Sequence, residues 1–273
     1  MRRSLLALGG ASAVWLAVAC LDVSSPIAGI TSISPILAPT PSVVEHDTLR
    51  DTAGVVGLLR VYAFGPSGDT VRDAVVHFYV VDTTNKLHVD SLTGIVSGDT
   101  PSPTGAVFAR VWPANGKGFI DTPLDTIPVV AVPNSAVSDT NFTFAFSAGT
   151  SSDTNATGLI SPPFGVVVKG SADTTIQKYV VGFELVRTPA SNGSNAGPTA
   201  VLTSALSTTD TAYAITDALG RATVRLRLRK TALSGQVLGG VTDTAVVRFH
   251  VRYRGNPLPV TPADSIIITV HVT

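Results

Sequence analysis

The chain has 273 residues with 19 basic and 19 acidic side chains, so no net charge draws it to nucleic acid or to an acidic surface. Hydrophobic residues make up 44% and charged residues only 14%, which excludes a disordered chain. A single cysteine excludes an internal disulfide framework.

The first element is a leader, residues 1–19. Arg2 and Arg3 precede an apolar run from Leu5 to Ala19, and the small residues Ala17 and Ala19 stand before Cys20. This is the three-part pattern of an export signal. Ala17-Val18-Ala19-Cys20 resembles the lipobox of bacterial lipoproteins, with alanine where leucine is commonest. The resemblance implies cleavage before Cys20, a lipid on its thiol, and a mature protein held on a membrane. Leu21, rather than aspartate, after the cysteine resembles sorting to the outer membrane or cell surface. Two other readings stay open. Ala-x-Ala also suits the signal peptidase that releases soluble proteins. Residues 4–21 also approach the roughly 20 residues of a membrane span, although Gly9-Gly10 weakens a helix there. The lipoprotein reading is preferred because it removes an otherwise exposed thiol outside the cytoplasm.

Residues 20–42 follow, with Pro26, Pro35, Pro39 and Pro41. Such a segment is expected to be an extended tether of about 3 Å per residue; the alternative is a first edge strand. Beyond it, apolar or alternating runs predict strands at 58–64, 74–81, 106–112, 127–132, 141–146, 165–169, 179–186, 221–228, 245–253 and 265–272. No convincing helix separates them. The list also repeats: 68–81 lines up with 172–186, 104–111 with 219–226, 125–133 with 243–251, and 138–146 with 263–271. Four matches in one order predict two tandem copies of one fold, at 43–148 and 161–273, joined by the polar linker 149–160.

Within each copy the landmarks resemble bacterial immunoglobulin-like domains of the invasin and intimin type. Residues 41–80 carry an apolar strand, a turn with Gly-x-x-Val and a Val-x-Phe strand; Asp217-Ala218-Leu219-Gly220-Arg221-Ala222 is similar to the family's D-x-x-G-x-A turn before an alternating strand. The first copy has Ser102-Pro103-Thr104-Gly105 where the second has Asp217 to Gly220, and the second copy lacks a clear opening strand. The resemblance implies an all-β fold: two tandem antiparallel β-sandwiches of seven strands each, after the signal peptide and tether. Periodicity agrees. In 221–229, Ala222, Val224, Leu226 and Leu228 share one face, and Arg221, Thr223, Arg225, Arg227 and Arg229 the other.

Catalytic chemistry is not expected. His46, His77, His88, His250 and His271 form no metal-binding pair, the two glutamates (Glu45, Glu184) make no general acid–base site, and no nucleophile or phosphate-loop motif occurs. No cofactor and no metal are expected. Twelve of the aspartates precede threonine, and turn closure accounts for them. Calcium between the copies, near Asp139, Asp153 and Asp173, is the weaker alternative. The candidate ligand surface is basic: Arg225, Arg227 and Arg229 on one strand, and Arg248, Arg252 and Arg254 on another that belongs to the opposite sheet in an immunoglobulin order. A solvated face is the plain reading, and an anionic surface polysaccharide the partner if it binds. The function expected is a non-enzymatic, lipid-anchored envelope module for structure, adhesion or interaction with envelope proteins. The alternative is a carbohydrate- or ligand-binding accessory lipoprotein of a transport or polymer-handling system. A clustered aromatic platform would favour it, although Trp112 is the only tryptophan beyond the leader.

Overall fold

The computed structural model describes residues 29–81, 84–146, 160–188, 200–204, 208–228 and 241–272. The leader, Cys20 and Arg229 lie outside these residues.

The first unit is assembled from short strands: β1 (Ser32–Ile33), β2 (Val43–Val44), β3 (Asp47–Thr48), β4 (Ala63–Phe64), β5 (Val75–Val80), β6 (Leu87–Val89), β7 (Val96–Gly98), β8 (Ala106–Trp112), β9 (Ile120–Asp121), β10 (Asp125–Thr126) and β11 (Val129–Val130). In one layer β8 pairs with β5 on one side and with β9 and β10 on the other. In the other layer β1 pairs with β4, the bridge Leu58–Ile95 leads to β7, and β7 pairs with β6. The opening segment changes layers, and β2 runs parallel to β11.

The second unit is more regular: β12 (Pro133–Ser138), β13 (Phe142–Phe146), β14 (Phe164–Gly170), β15 (Val180–Arg187), β16 (Ala200–Thr203), β17 (Thr208–Thr209), β18 (Thr211–Ile215), β19 (Arg221–Leu228), β20 (Val241–His250), β21 (Arg252–Tyr253), β22 (Asn256–Pro257), β23 (Val260–Thr261) and β24 (Ser265–Val272). One sheet has the order β17-β16-β19-β14-β12-β23 and the other β13-β24-β20-β15-β18. Both units thus place first, second, fifth and fourth strands in one layer and third, sixth and seventh in the other. That is the immunoglobulin-like sandwich. The architecture is all-β, as composition and pattern predict.

Alternation explains the packing. Val166 and Val168 of β14 and Ala222, Val224 and Leu226 of β19 are buried from one sheet; Val181, Phe183, Val247, Phe249, Ile266 and Ile268 meet them from the other. Phe183 and Phe249 are direct cross-strand partners with centroids 5.7 Å apart. Each fully buried side chain of this size contributes about 2–3 kcal/mol, so this interior needs no disulfide.

Four expectations are corrected. Residues 29–42 are not a free tether: Ile30 and Ile36 are buried, and Thr31, Ser34 and Leu37 donate backbone N–H groups to Phe64, Tyr62 and Arg60. The segment is an edge strand, where prolines are tolerated. Residues 133–146, placed in the first copy by the sequence reading, pair with β14, β23 and β24. They are the opening strands that the second copy lacked. The units therefore meet at residues 131–132, and the polar stretch 149–160 falls between β13 and β14, with all but Ile160 of it outside the described residues. Of the four repeat matches only 68–81 with 172–186 joins equivalent strands, β5 and β15; the next two are one strand out of step, and 138–146 with 263–271 pairs β13 with its own parallel neighbour β24.

The aspartate–glycine turn is also relocated in the first unit. Asp217 Oδ1 accepts the N–H groups of Leu219 and Arg221, at 2.8 and 3.0 Å, and Gly220 adopts φ +72°. The counterpart is Asp90, whose Oδ1 accepts Leu92 and Thr93, at 3.0 and 2.7 Å, with Gly94 also at φ +72°. Each glycine carbonyl then accepts an N–H from the neighbouring strand, Leu59 in one unit and Val168 in the other. Ser102 to Gly105 is a different turn, one strand later.

Candidate functional site

The described candidate arginines do not gather. Arg225 and Arg227 stand on β19, in the sheet opposite β20, which carries Arg248. Arg248 is exposed with Glu184 as its cross-strand partner. The expected continuous strand 245–253 is divided at Val251 into β20 and β21, although Val251 stays buried and Arg252 exposed as the alternation requires. Arg254 and Gly255 both take positive φ, 53° and 80°, between the paired residues Tyr253 and Asn256. This two-residue hairpin turn carries Arg254 away from the strand face and against the first unit.

There it closes a polar lock. Asp47, on β3, is almost wholly buried; Arg50 donates to it through Nε and Nη2, both at 3.0 Å, and Thr48 N–H at 2.8 Å. Arg254 Nε lies 3.3 Å from Asp47 Oδ2, while its Nη2 donates to the His46 carbonyl at 2.6 Å. Burial alone would raise the Asp47 carboxyl, but the Arg50 and Thr48 hydrogen bonds and the charges of Arg50 and Arg254 outweigh it and hold the pKa below the usual carboxylate value. A second tie runs from Ser42 Oγ to the Lys178 carbonyl, at 2.8 Å. Apolar contact completes the junction, since Val130 and Val44 of the first unit pack into the second unit's core.

Residues 50–57 interrupt the strand formed by 47–49 and 58–64, and they fold as a hairpin closed by Arg50 Nη1 on the Gly54 carbonyl at 2.9 Å. A Cβ on Gly54 would meet Gly255 Cα at 2.6 Å, so the hairpin tip abuts the Arg254–Gly255 turn. Between this hairpin and the outer face of the β18-β15-β20 sheet lies a cleft of about 290 Å³. Its floor is Gly182, flanked by Tyr213 and His250; its walls include Glu184, Arg252 and Thr52. His250 Nε2 and Glu184 Oε2 are 2.8 Å apart. Ser42, the serine of the lining, has its hydroxyl engaged on Lys178, so the pair meets no serine or cysteine nucleophile among the lining residues. Tyr179 donates its hydroxyl to the Arg252 carbonyl, and burial first, then the nearby Tyr253 and Asp47, pushes its pKa far up. Of the sequence candidates the cleft collects Arg252 and Arg254; Asp47, Arg50 and Gly182 were missed. A buried aspartate three residues before an arginine was the local trace, but its third partner lies more than two hundred residues away.

Several of the aspartates before threonine close turns or ion pairs. Asp51 Oδ1 accepts Ala53 and Val55, Asp121 pairs with Arg110, and Asp99 with His88. Of the weighed calcium positions, Asp139 accepts Gly165 N–H and Arg221, Asp173 faces Lys169, and Asp153 lies outside the described residues. Among the described residues no three His, Cys, Asp or Glu side chains gather as a metal site.

No family model and no curated protein sequence matches the chain. Solved structures do. The Yersinia pseudotuberculosis adhesin InvE is 16% identical over 89% of this chain, with a TM-score of 0.34, and this chain spans 60% of its length. The D0–D1 region of intimin is 14% identical, covers 89% of this chain and is itself covered over 96%, with a TM-score of 0.24. Repeats EC21–23 of human CDH23 are 13% identical, covering 89% of this chain and 70% of theirs, with a TM-score of 0.25. The immunoglobulin-like assignment rests on the strand order of this chain itself.

Proposed function

We propose that this is a non-enzymatic, lipid-anchored cell-envelope protein whose two immunoglobulin-like units act as one stiff interaction module presented away from the membrane. The observation that carries the reading is the junction. Two residues join β11 to β12, and the Asp47–Arg50–Arg254 lock, the Ser42–Lys178 bond and the Val130 contact brace them. The chain enters the first unit at the far end: Ile30 packs with Ala63 and Val111, next to Ile120, while residues 120–130 run from there to the second unit. At about 3.3 Å per residue that run is roughly 30 Å. A lipid on Cys20 would thus hold the first unit near the membrane and leave the second outermost.

Fractionation of a bacterial host expressing the full chain tests the anchor. The native protein is expected in the membrane fraction and labelled by an alkyne-bearing fatty acid; Cys20→Ser is expected soluble and unlabelled. Membrane retention of Cys20→Ser would overturn the reading.

A further inference from the structure

The outer face of the first unit's β5-β8-β9 layer is built from rings. β5 and β8 pair in register with Tyr79 opposite Phe108, His77 opposite Arg110, and Val75 opposite Trp112. Alternation buries Phe78, Val107, Ala109 and Val111 and leaves these bulky partners outside. Tyr79 and Phe108 stack at 5.1 Å and 18°; His77 meets Trp112 edge-on at 5.0 Å; Phe119, 47% exposed, lies 6.0 Å from Trp112. The Arg110 guanidinium sits 3.8 Å from the Phe119 centroid and within 6.0 Å of the Tyr79 and Trp112 rings. Asp121 takes it in a fork, at 2.7 and 2.9 Å, and this pairing raises its pKa.

We propose that this face is a binding platform for a neutral polysaccharide, whose pyranose rings stack on Trp112 and Phe119 and run along the edge of the Tyr79–Phe108 pair. Charge decides the ligand class. Arg110 is neutralised by its fork with Asp121, so the face offers an anionic polymer little net attraction, while its guanidinium edge and the Trp112 indole N–H provide donors suited to sugar hydroxyls. A pyranose needs no charge: its C–H face covers a ring while its equatorial hydroxyls reach the polar groups between rings. The platform is long rather than cupped. From Phe108 to Trp112 is about 13 Å along the strand, the reach of an oligosaccharide and not of a single sugar. A ladder of rings also stabilises a sheet, but that role alone leaves unexplained why the bulk of β8 faces outward over an inner face of valine and alanine.

The inference is independent of the anchor, since Cys20→Ser leaves this face untouched, and the two readings fail separately. Affinity electrophoresis of the full chain in detergent tests it, using gels containing hydroxyethylcellulose, glucomannan or xyloglucan, with alginate as the anionic control. Trp112, the one tryptophan after Cys20, reports binding directly by its fluorescence. At least one neutral polymer is expected to retard the protein and shift this emission. Trp112→Ala and Phe119→Ala are expected to weaken retardation about tenfold each, and Trp112→Phe to retain most of it. Thermal melts check that the variants remain folded. Failure of all three neutral polymers to retard the protein would overturn the proposal. So would equal retardation of the alanine variants, or a Trp112-dependent preference for alginate. Sedimentation that shows a dimer lost in Trp112→Ala would assign the face to a second copy and overturn it as well.

Discussion

Replacing Asp47 with alanine separates the two halves of the polar lock. The Asp47 side chain is 5% exposed and accepts two hydrogen bonds from Arg50, whose side chain is 28% exposed, so Arg50 recovers part of its hydration when the partner goes. The loss should therefore fall near the value for a hydrogen bond to a charged group, about 2 kcal/mol, and below the 3–5 kcal/mol of a fully buried pair. Arg254 is 47% exposed and its ion pair with Asp47 is longer, 3.3 Å, so solvent screening reduces that arm to about 0.5 kcal/mol. Urea denaturation followed by Trp112 fluorescence reads the first unit, and circular dichroism reads the whole chain. Asp47→Ala is expected to destabilise the first unit by about 2–3 kcal/mol. Double-mutant cycles should give a coupling of about 1.5 kcal/mol or more with Arg50→Ala and about 0.5 kcal/mol with Arg254→Ala. A loss under about 1 kcal/mol, or a larger coupling to Arg254 than to Arg50, would refute the reasoning.

Because the folded Asp47 pKa is lowered, its contribution is complete above the ordinary carboxylate range and disappears as pH falls through the lowered value; the stability gap between the native chain and Asp47→Ala should close below about pH 4 in urea titrations. Gly94→Ala and Gly220→Ala should each cost about 2 kcal/mol or more by chemical denaturation, since both residues have φ +72° and a Cβ would stand 2.9 Å from the Leu59 carbonyl or 2.8 Å from Thr175 Cβ. Gly68→Ala, at φ +82° but with open space around it, should lose only about 1 kcal/mol. Leu226→Asp places a carboxylate in a fully buried position and should abolish cooperative unfolding of the second unit in calorimetry; a retained transition would refute the register of β19.

The long strands were legible because each has one wet and one dry face. Residues 106–112 and 221–227 alternate without error, and the structure buries the faces that the alternation predicts. The first unit's short ladders were not, since two or three residues such as Val43–Val44 or Leu87–Val89 are shorter than any period. Pro133, Asn134 and Ser135 fall outside the strand runs legible in the sequence, yet they open β12, which lies between β14 and β23 and whose register shifts at that point. Polarity misplaced the boundary: 149–160 looks like a linker, while the true junction, Ala131-Val132, is apolar and two residues long. The repeat slipped because every strand shares one pattern, so strands one step apart align as well as equivalents. The ligand surface was the least legible part. Arginine spacing gave faces but not pairings, and the tight turn at Arg254–Gly255 carried Arg254 into the junction. The ring face depends on Tyr79 lying opposite Phe108, a register set by two strands far apart in sequence.

The parallel pairing of β13 with β24 has a mechanical consequence. Tension applied between Phe142 and Val272 pulls two bonded neighbours in opposite directions along their length, over a five-residue register from Phe142–Ile268 to Phe146–Val272. The bonds are then loaded together in shear instead of being peeled one by one. In the first unit the corresponding clamp, β2 on β11, is two residues long. Under tension along the chain the first unit should yield before the second and pay out its length, acting as a shock absorber for it.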